Sequence, residues 1–421
     1  MKPLFTLLFF LLLLPLHAQE LDTIAPQRPW DELLRETLYG LSLEAEDANY
    51  VAGICVYDLT DGIPLFNYNH HKVMRPASTQ KILTAVSALD LLGSTYAFTT
   101  RAYLDGTMSE DGRTLTGNIC VVGGFDPAFS YADLLDIATA VQQTGIACID
   151  GEIIADVSMK DTLQLGNGWC WDDVPSSIVP YLSPLIVNHG QRIDSRNTKC
   201  VPNPERYFIQ TLVSVLAEKG VTFVSPNPVR VVSQPSTARR GQLIYAQTRT
   251  VEQILGQMMK KSDNLYAEAL FFQLAARAKT ASATWKDGAR QVEKVLQKAG
   301  VPIEQVKVAD GSGLSLYNYV TPEAEVAMLR YAFQRPAIYN AFYPSLPIAG
   351  FDGTLEKRMT SGPASGNVRA KTGTVTGVSS LAGYVRASNG HMLAFSIILN
   401  GVLKNSVGHN LQDRICQELA Q

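Results

Sequence analysis

Ser78 and Lys81 form the only SxxK in the chain, and they stand at the start of a long apolar helical pattern. Residues three apart share a helix face, so the Lys81 amine can reach the Ser78 hydroxyl. A serine is a poor nucleophile until a neighbouring base takes its proton. A lysine in a desolvated pocket can be neutral enough to be that base. The helix start adds backbone N–H groups and a positive dipole where an oxyanion would form. Ser262-Asp263-Asn264 fits SxN and lies at a tight connection between two apolar helical runs. There a hydroxyl and an amide can project together into a cleft, although the same residues also suit a helix cap. Ser195-Arg196-Asn197 and Ser225-Pro226-Asn227 fit SxN as well, the latter in a proline-rich loop. Lys371-Thr372-Gly373 is the only KTG and lies on a strand-like run. Gly373 would let a substrate backbone come close, and Lys371 and Thr372 would hold a carboxylate.

The elements that must position these groups follow from the periodicity. VAGICVYD (51–58) and PLFNYN (64–69) flank a polar Gly-containing turn and read as a hairpin. Ile82, Leu83, Val86, Leu89 and Leu92 recur at helical spacing, giving a buried helix that stops at Gly93. Residues 98–246 have a different texture of short β-like runs and turns, with a linker at 233–242. Helical pattern resumes at 250–260 and 264–277. Three strands then read at 369–377, 379–387 and 391–400, the last two joined at Asn389-Gly390, and a terminal helix covers 408–419. The pattern predicts an α/β (α+β) architecture. One domain is built from 19–97 and 247–421, with a β-rich insertion at 98–246.

Composition narrows the class. The 421 residues are 46% hydrophobic and 18% charged, with a net charge of −3. No basic excess marks a nucleic-acid binder. Lys2, the apolar run from Leu4 to Leu16 and Ala18 read as a signal peptide over 1–18, too short for a bilayer span of ~20 residues. Export to an oxidising space makes disulfides a reasonable fate for Cys55, Cys120, Cys148, Cys170, Cys200 and Cys416. Their connectivity is not fixed by sequence; Cys120–Cys148, Cys170–Cys200 and Cys55–Cys416 are the preferred pairs. No HExxH and no close CxxC pair exist, so neither a metal nor another cofactor is expected.

SxxK, SxN and KTG in this order are the motif set of penicillin-binding proteins and class A β-lactamases. With GGFDPAF (123–129), GWCWDD (168–173), YLSPLIVN (181–188), DGSGLS (310–315) and LPIAGFDGTL (346–355), the chain resembles the low-molecular-mass class C penicillin-binding proteins, the D-alanyl-D-alanine carboxypeptidase/endopeptidase family. The wide gap between Ser78 and Ser262 resembles that family's inserted domains. The resemblance implies a periplasmic hydrolase that trims terminal D-Ala or cleaves cross-links in peptidoglycan. Stem peptides ending in D-Ala-D-Ala would be its substrates and β-lactams its covalent inhibitors. A homodimer and a peripheral membrane attachment are left open.

By the same resemblance, Ser78 is the nucleophile and Lys81 the base. Ser262 relays a proton to the leaving amine, and Asn264 binds the substrate amide and orders Lys81. Lys371 and Thr372 hold the terminal carboxylate, and the N–H groups of Ser78 and Thr374 form the oxyanion hole. Asp156 matches an aspartate that contacts the stem-peptide side chain; its plain reading is a solvated turn residue. Arg369 also fits the family, with a structural ion pair as its plain reading. Two departures stand out. Leu316-Tyr317 replaces an arginine that often follows DGSGLS, and Phe125 replaces a glycine of GGGD. The rivals are a β-lactamase, for which no ExxLN-like deacylation motif is present, and a catalytically retired peptidoglycan- or partner-binding protein. A Ser-His-Asp hydrolase lacks its GxSxG.

Overall fold

The computed structural model describes residues 29–173, 176, 179–192, 200–235, 241–279 and 281–421. The signal-peptide segment 1–18, Ser195-Arg196-Asn197 and the middle of the 233–242 linker lie outside the described residues.

Helix α1 (Trp30–Asp47) leads into the hairpin β1 (Val51–Asp58) and β2 (Ile63–Tyr68), and then into α2 (Gln80–Leu91). Far along the chain come β10 (Arg369–Val375), β11 (Gly377–Arg386), β12 (Met392–Val402) and α10 (Asn405–Leu419). Both chain ends build one antiparallel five-stranded sheet in the order β10-β11-β12-β1-β2. β12 reads MLAFSIILNGV and is buried on both faces over most of its length. A near-continuous apolar run of this kind suits a central strand covered from both sides. On one face α1 and α10 bury Leu38, Ile415 and Leu419 against Ile54, Phe395 and Ile397. The other face carries α2 with α8 (Pro322–Phe333).

The chain between these ends forms a second sheet. Its strands are β3 (Ala97–Met108), β4 (Thr114–Val122), β5 (Cys148–Asp150), β6 (Ile153–Asp156), β7 (Thr222–Phe223), β8 (Val229–Val232) and β9 (Gln242–Thr250). β3 pairs antiparallel with β4 and β9; the other pairings are parallel. α3 (Tyr131–Gln143) and α4 (Pro204–Glu218) cover it with Leu134, Ile137, Phe208 and Leu212. α5 (Val251–Lys260), α6 (Asn264–Ala278), α7 (Trp285–Lys298), α8 and α9 (Pro336–Phe342) then return the chain to the first sheet. α2 is buried on every side from Gln80 to Leu89 because these helices enclose it.

No disulfide joins any of the six cysteines, which corrects the preferred disulfide pairs. Cys55 and Cys416 belong to the cores on opposite faces of the first sheet. Cys120 faces Ile154 while Cys148 faces Thr114 at the other end of β4, far beyond disulfide reach. The Cys200 thiol donates instead to the Ser176 carbonyl at 2.9 Å.

The departure at Phe125 has a packing explanation. Its φ of 50° is left-handed, a conformation that glycine adopts freely and other residues only at a cost of about 1 kcal/mol. The fully buried ring stacks on Phe272 at 5.8 Å, which offsets that cost. Tyr317 is half exposed, with the Lys307 ammonium 5.5 Å from its ring.

Candidate active site

Pro76 ends the lead from β2, and Ala77–Thr79 form a 3-10 turn before α2 begins. Ala77 has φ 51°, so the residue before Ser78 is held in the left-handed region. The turn is pinned from behind. The Thr79 hydroxyl donates to the Pro76 carbonyl at 2.8 Å, and the Ser380 hydroxyl donates to the same oxygen. Gly373 of β10 sits opposite Ser380 of β11. A β-carbon at Gly373 would lie 2.1 Å from the Ser380 hydroxyl, 2.7 Å from the Pro76 carbonyl and 2.9 Å from the Ser78 nitrogen. The close approach at Gly373 is therefore made by the chain's own Ser78 loop and Ser380, and not by the substrate backbone expected from the motif. Gly313 has the same role on the other flank, since a β-carbon there would meet the Ala77 carbonyl at 1.8 Å.

Ser78 is half buried and makes no cap to α2, so its hydroxyl is free for chemistry. Lys81 is fully buried. Its amine lies 2.9 Å from Ser78 Oγ, 2.8 Å from Asn264 Oδ1 and 2.7 Å from the Ser312 carbonyl. Burial pushes this amine down to about 8, although Asp310, Glu268 and Asp263 oppose the shift. A lysine so placed can exchange a proton with Ser78 near neutral pH.

Across the cleft, Ser262 has φ 58° and turns its hydroxyl to the Lys371 amine, which donates to it at 2.8 Å. The cap of α6 is Asp263, which takes the Tyr266 N–H, leaving Ser262 and Asn264 to face the cleft. Both readings of this segment thus hold at once, on different residues. Lys371 is fully buried although β10 is an edge strand. Burial first, and then the nearby Lys81 charge, hold its amine well below the usual lysine range. The Thr372 hydroxyl donates to Thr354 Oγ1 at 2.7 Å, and Thr374 is exposed along the same edge. Among the other SxN matches, Ser225-Pro226-Asn227 sits in the loop between β7 and β8.

Arg369 lies over the Tyr343 ring at 4.8 Å, an aromatic contact where an ion pair was the plain reading. Asp156 is buried at the end of β6, its Oδ1 taking the Ser158 N–H at 3.0 Å, so it is not a solvated turn residue.

Sequence reasoning gave no role to several residues that shape the site. Glu268 and Asp310, each 1% exposed, anchor the turn that carries the Ser312 carbonyl. His189, from the stretch after YLSPLIVN, bonds Asp263 at 3.0 and 3.1 Å. Glu268 is four residues after Asn264 and shares its helix face, and that spacing was the available signal.

A nucleophile with a buried lysine base, a hydroxyl–lysine pair facing it and an edge strand for an extended substrate define a serine acyl-transfer site. The D-Ala-D-Ala carboxypeptidase 3 (S13) family matches residues 41–200 and 194–421, and the chain belongs to that family. Membership makes it a serine peptidase, a hydrolase. The chain is 29% identical to the D-alanyl-D-alanine carboxypeptidase of Actinomadura sp. (strain R39) over 87% of its own length and 81% of the relative's. It is 27% identical to D-alanyl-D-alanine carboxypeptidase DacB of Haemophilus influenzae, over 83% and 89%. In fold it matches the crystal structure of penicillin binding protein 4 (dacB) from Haemophilus influenzae with a TM-score of 0.82. That match has 24% identity and covers 91% of this chain and 99% of the other.

Proposed function

We propose that this enzyme removes terminal D-Ala, or splits D-Ala cross-links, in peptidoglycan through an acyl-enzyme on Ser78. The observation that carries the reading is the Lys81 amine 2.9 Å from Ser78 Oγ, with the Ser262–Lys371 pair on the opposite side of the cleft. Neutral Lys81 takes the Ser78 proton as Oγ attacks the penultimate D-Ala carbonyl carbon. The Ser78 and Thr374 N–H groups receive the oxyanion. The C–N bond then breaks, and the leaving amine takes a proton through Ser262, supplied from the lysine side. Asn264 holds the substrate amide, and Lys371, Thr372 and Gly373 line the strand beside which the terminal carboxylate lies. Water attacks the ester, Lys81 again takes a proton, and Ser78 is regenerated.

β-Lactams acylate the same serine in this scheme. Segment 98–246 is an insertion into the catalytic unit formed by 19–97 and 247–421. The signal peptide directs the enzyme to the periplasm. Among the described residues no helix is long and apolar enough to cross a membrane, which supports a mature chain that does not span the bilayer.

The test is reaction of the purified chain with fluorescent penicillin beside Ser78→Ala. A long-lived label on the parent, absent from Ser78→Ala, is expected. No label would leave a retired binding protein, and rapid turnover of the drug would mean a β-lactamase. Digestion of purified muropeptides then separates carboxypeptidase from endopeptidase products, and the appearance of neither sinks the peptidase reading.

A further inference from the structure

Under the proposed function Lys81 must shed a proton before it can take one from Ser78. Whatever surrounds its amine therefore sets the pH range of acylation. The amine's third contact, the Ser312 carbonyl, belongs to a turn fastened by two buried carboxylates. Glu268 Oε1 accepts the N–H of Gly311 at 3.1 Å and of Ser312 at 2.9 Å. Asp310 accepts the N–H of Gly313 and of Ser315, the Asn318 amide and the Trp169 indole N–H at 3.0 Å. The Thr84 hydroxyl of α2 donates to the Gly311 carbonyl at 2.7 Å, tying the same turn to the helix of Lys81.

We propose that Glu268 is a positioning residue for Lys81. It aims the Ser312 carbonyl at the amine and, by its charge, governs when that amine gives up its proton. This inference rests on the reading of Lys81 as the base and deepens it.

The charged surroundings support the assignment. Lys81 faces Asp310, Glu268 and Asp263, which favour the ammonium, while burial and Lys371 oppose it. Glu268 faces Asp310, which disfavours its ionisation, and also Lys160, whose ammonium lies over the Phe272 ring and pairs with Asp161. Burial, with Asp310 beside it, pushes the Glu268 carboxyl up to about 8, the same region as Lys81. Two interacting groups in one pH range titrate as a pair.

Glu268 ionises only as pH rises through about 8, where its charge stabilises the Lys81 ammonium and delays the loss of that proton; removing the group lets Lys81 become neutral at lower pH and in a single step. Glu268→Gln keeps an amide oxygen for the Gly311 and Ser312 N–H groups and removes only the charge. The experiment is the rate of fluorescent-penicillin acylation of the full chain against pH, for the parent, Glu268→Gln, Glu268→Asp, Glu268→Ala and Ser78→Ala. The acid limb of Glu268→Gln is expected to move down by about one pH unit with its plateau kept. Glu268→Asp keeps the parent limb, and Glu268→Ala loses rate at every pH because it leaves the turn N–H groups unpaired.

Superimposed limbs for the parent and Glu268→Gln overturn the proposal. So does a uniformly lower rate with an unmoved limb, which a purely structural role would give. In both cases Ser78-dependent labelling of the parent leaves the peptidase reading standing. Absence of labelling in the parent instead overturns that reading, and the proposal with it. If Glu268→Gln folds poorly, NMR titration of 13C-labelled lysine in the parent reads the same coupling. Two titration steps at Lys81 are expected, and a single step overturns it.

Discussion

Gly373 shows how little room the site leaves at the scale of single residues. Its missing β-carbon is the space through which the Ser380 hydroxyl, the Pro76 carbonyl and the Ser78 nitrogen approach β10. Gly373→Ala is expected to destabilise the protein by about 2 kcal/mol and to slow acylation, because the Ser78 loop must back away. Gly373→Ala with Ser380→Gly should recover part of the stability, since the nearest clash is with that hydroxyl. Urea denaturation and penicillin labelling measure the two effects; equal stability of Gly373→Ala and the parent would show that the loop yields freely. Ser78, Lys81, Ser262, Asn264 and Lys371 were legible in the sequence because their types and order are unusual together. Glu268 was not. A carboxylate in an apolar helix reads as an exposed face until the packing of α6 shows which side is covered.

Among elements, α8 carries a second buried acid. Glu325 is fully buried, and its Oε2 accepts from the Ser396 hydroxyl of β12. Burial pushes its carboxyl up to about 7, with the Ser396 and Thr79 hydroxyls opposing. In the unfolded chain the group ionises at the ordinary glutamate value, so between that value and about 7 the folded state holds the extra proton. Stability from this group is therefore present at low pH and is lost as pH rises toward 7. Glu325→Gln should lessen the fall in unfolding free energy between mildly acid and mildly alkaline pH by about 3 kcal/mol. Urea midpoints at the two pH values check this, and parallel curves for parent and variant would contradict it. Element types were readable from period: the β1–β2 hairpin, the buried α2 and the three closing strands. The parallel pairing among β4 to β8 was not, because strands as short as β5 and β7 carry too few residues to show alternation.

For the whole molecule, the free cysteines give the sharpest prediction. Cys55, Cys120, Cys200 and Cys416 are at most 5% exposed, while Cys148 and Cys170 are partly exposed. Burial also pushes the thiol of Cys55 up to about 12 and of Cys200 up to about 11, which suppresses the reactive thiolate. In the native protein a thiol reagent should modify Cys148 and Cys170 alone, and after denaturation all six residues should react without prior reduction. Fewer reactive thiols in the denatured, unreduced chain would reveal a disulfide. The fold then owes its stability to three large cores and not to covalent ties.

By itself the sequence determined the nucleophile–lysine pair, the order of the three motifs and the α/β alternation, because these depend on residue type and on spacing along one element. Only the tertiary structure decided which carboxylates face Lys81, why Gly373 must lack a side chain and that no two cysteines are joined. Those depend on contacts between α2, α6, β10 and the Asp310–Ser315 turn, which are far apart along the chain. Such distances follow from how the helices pack on the two faces of the first sheet, and no local pattern encodes them.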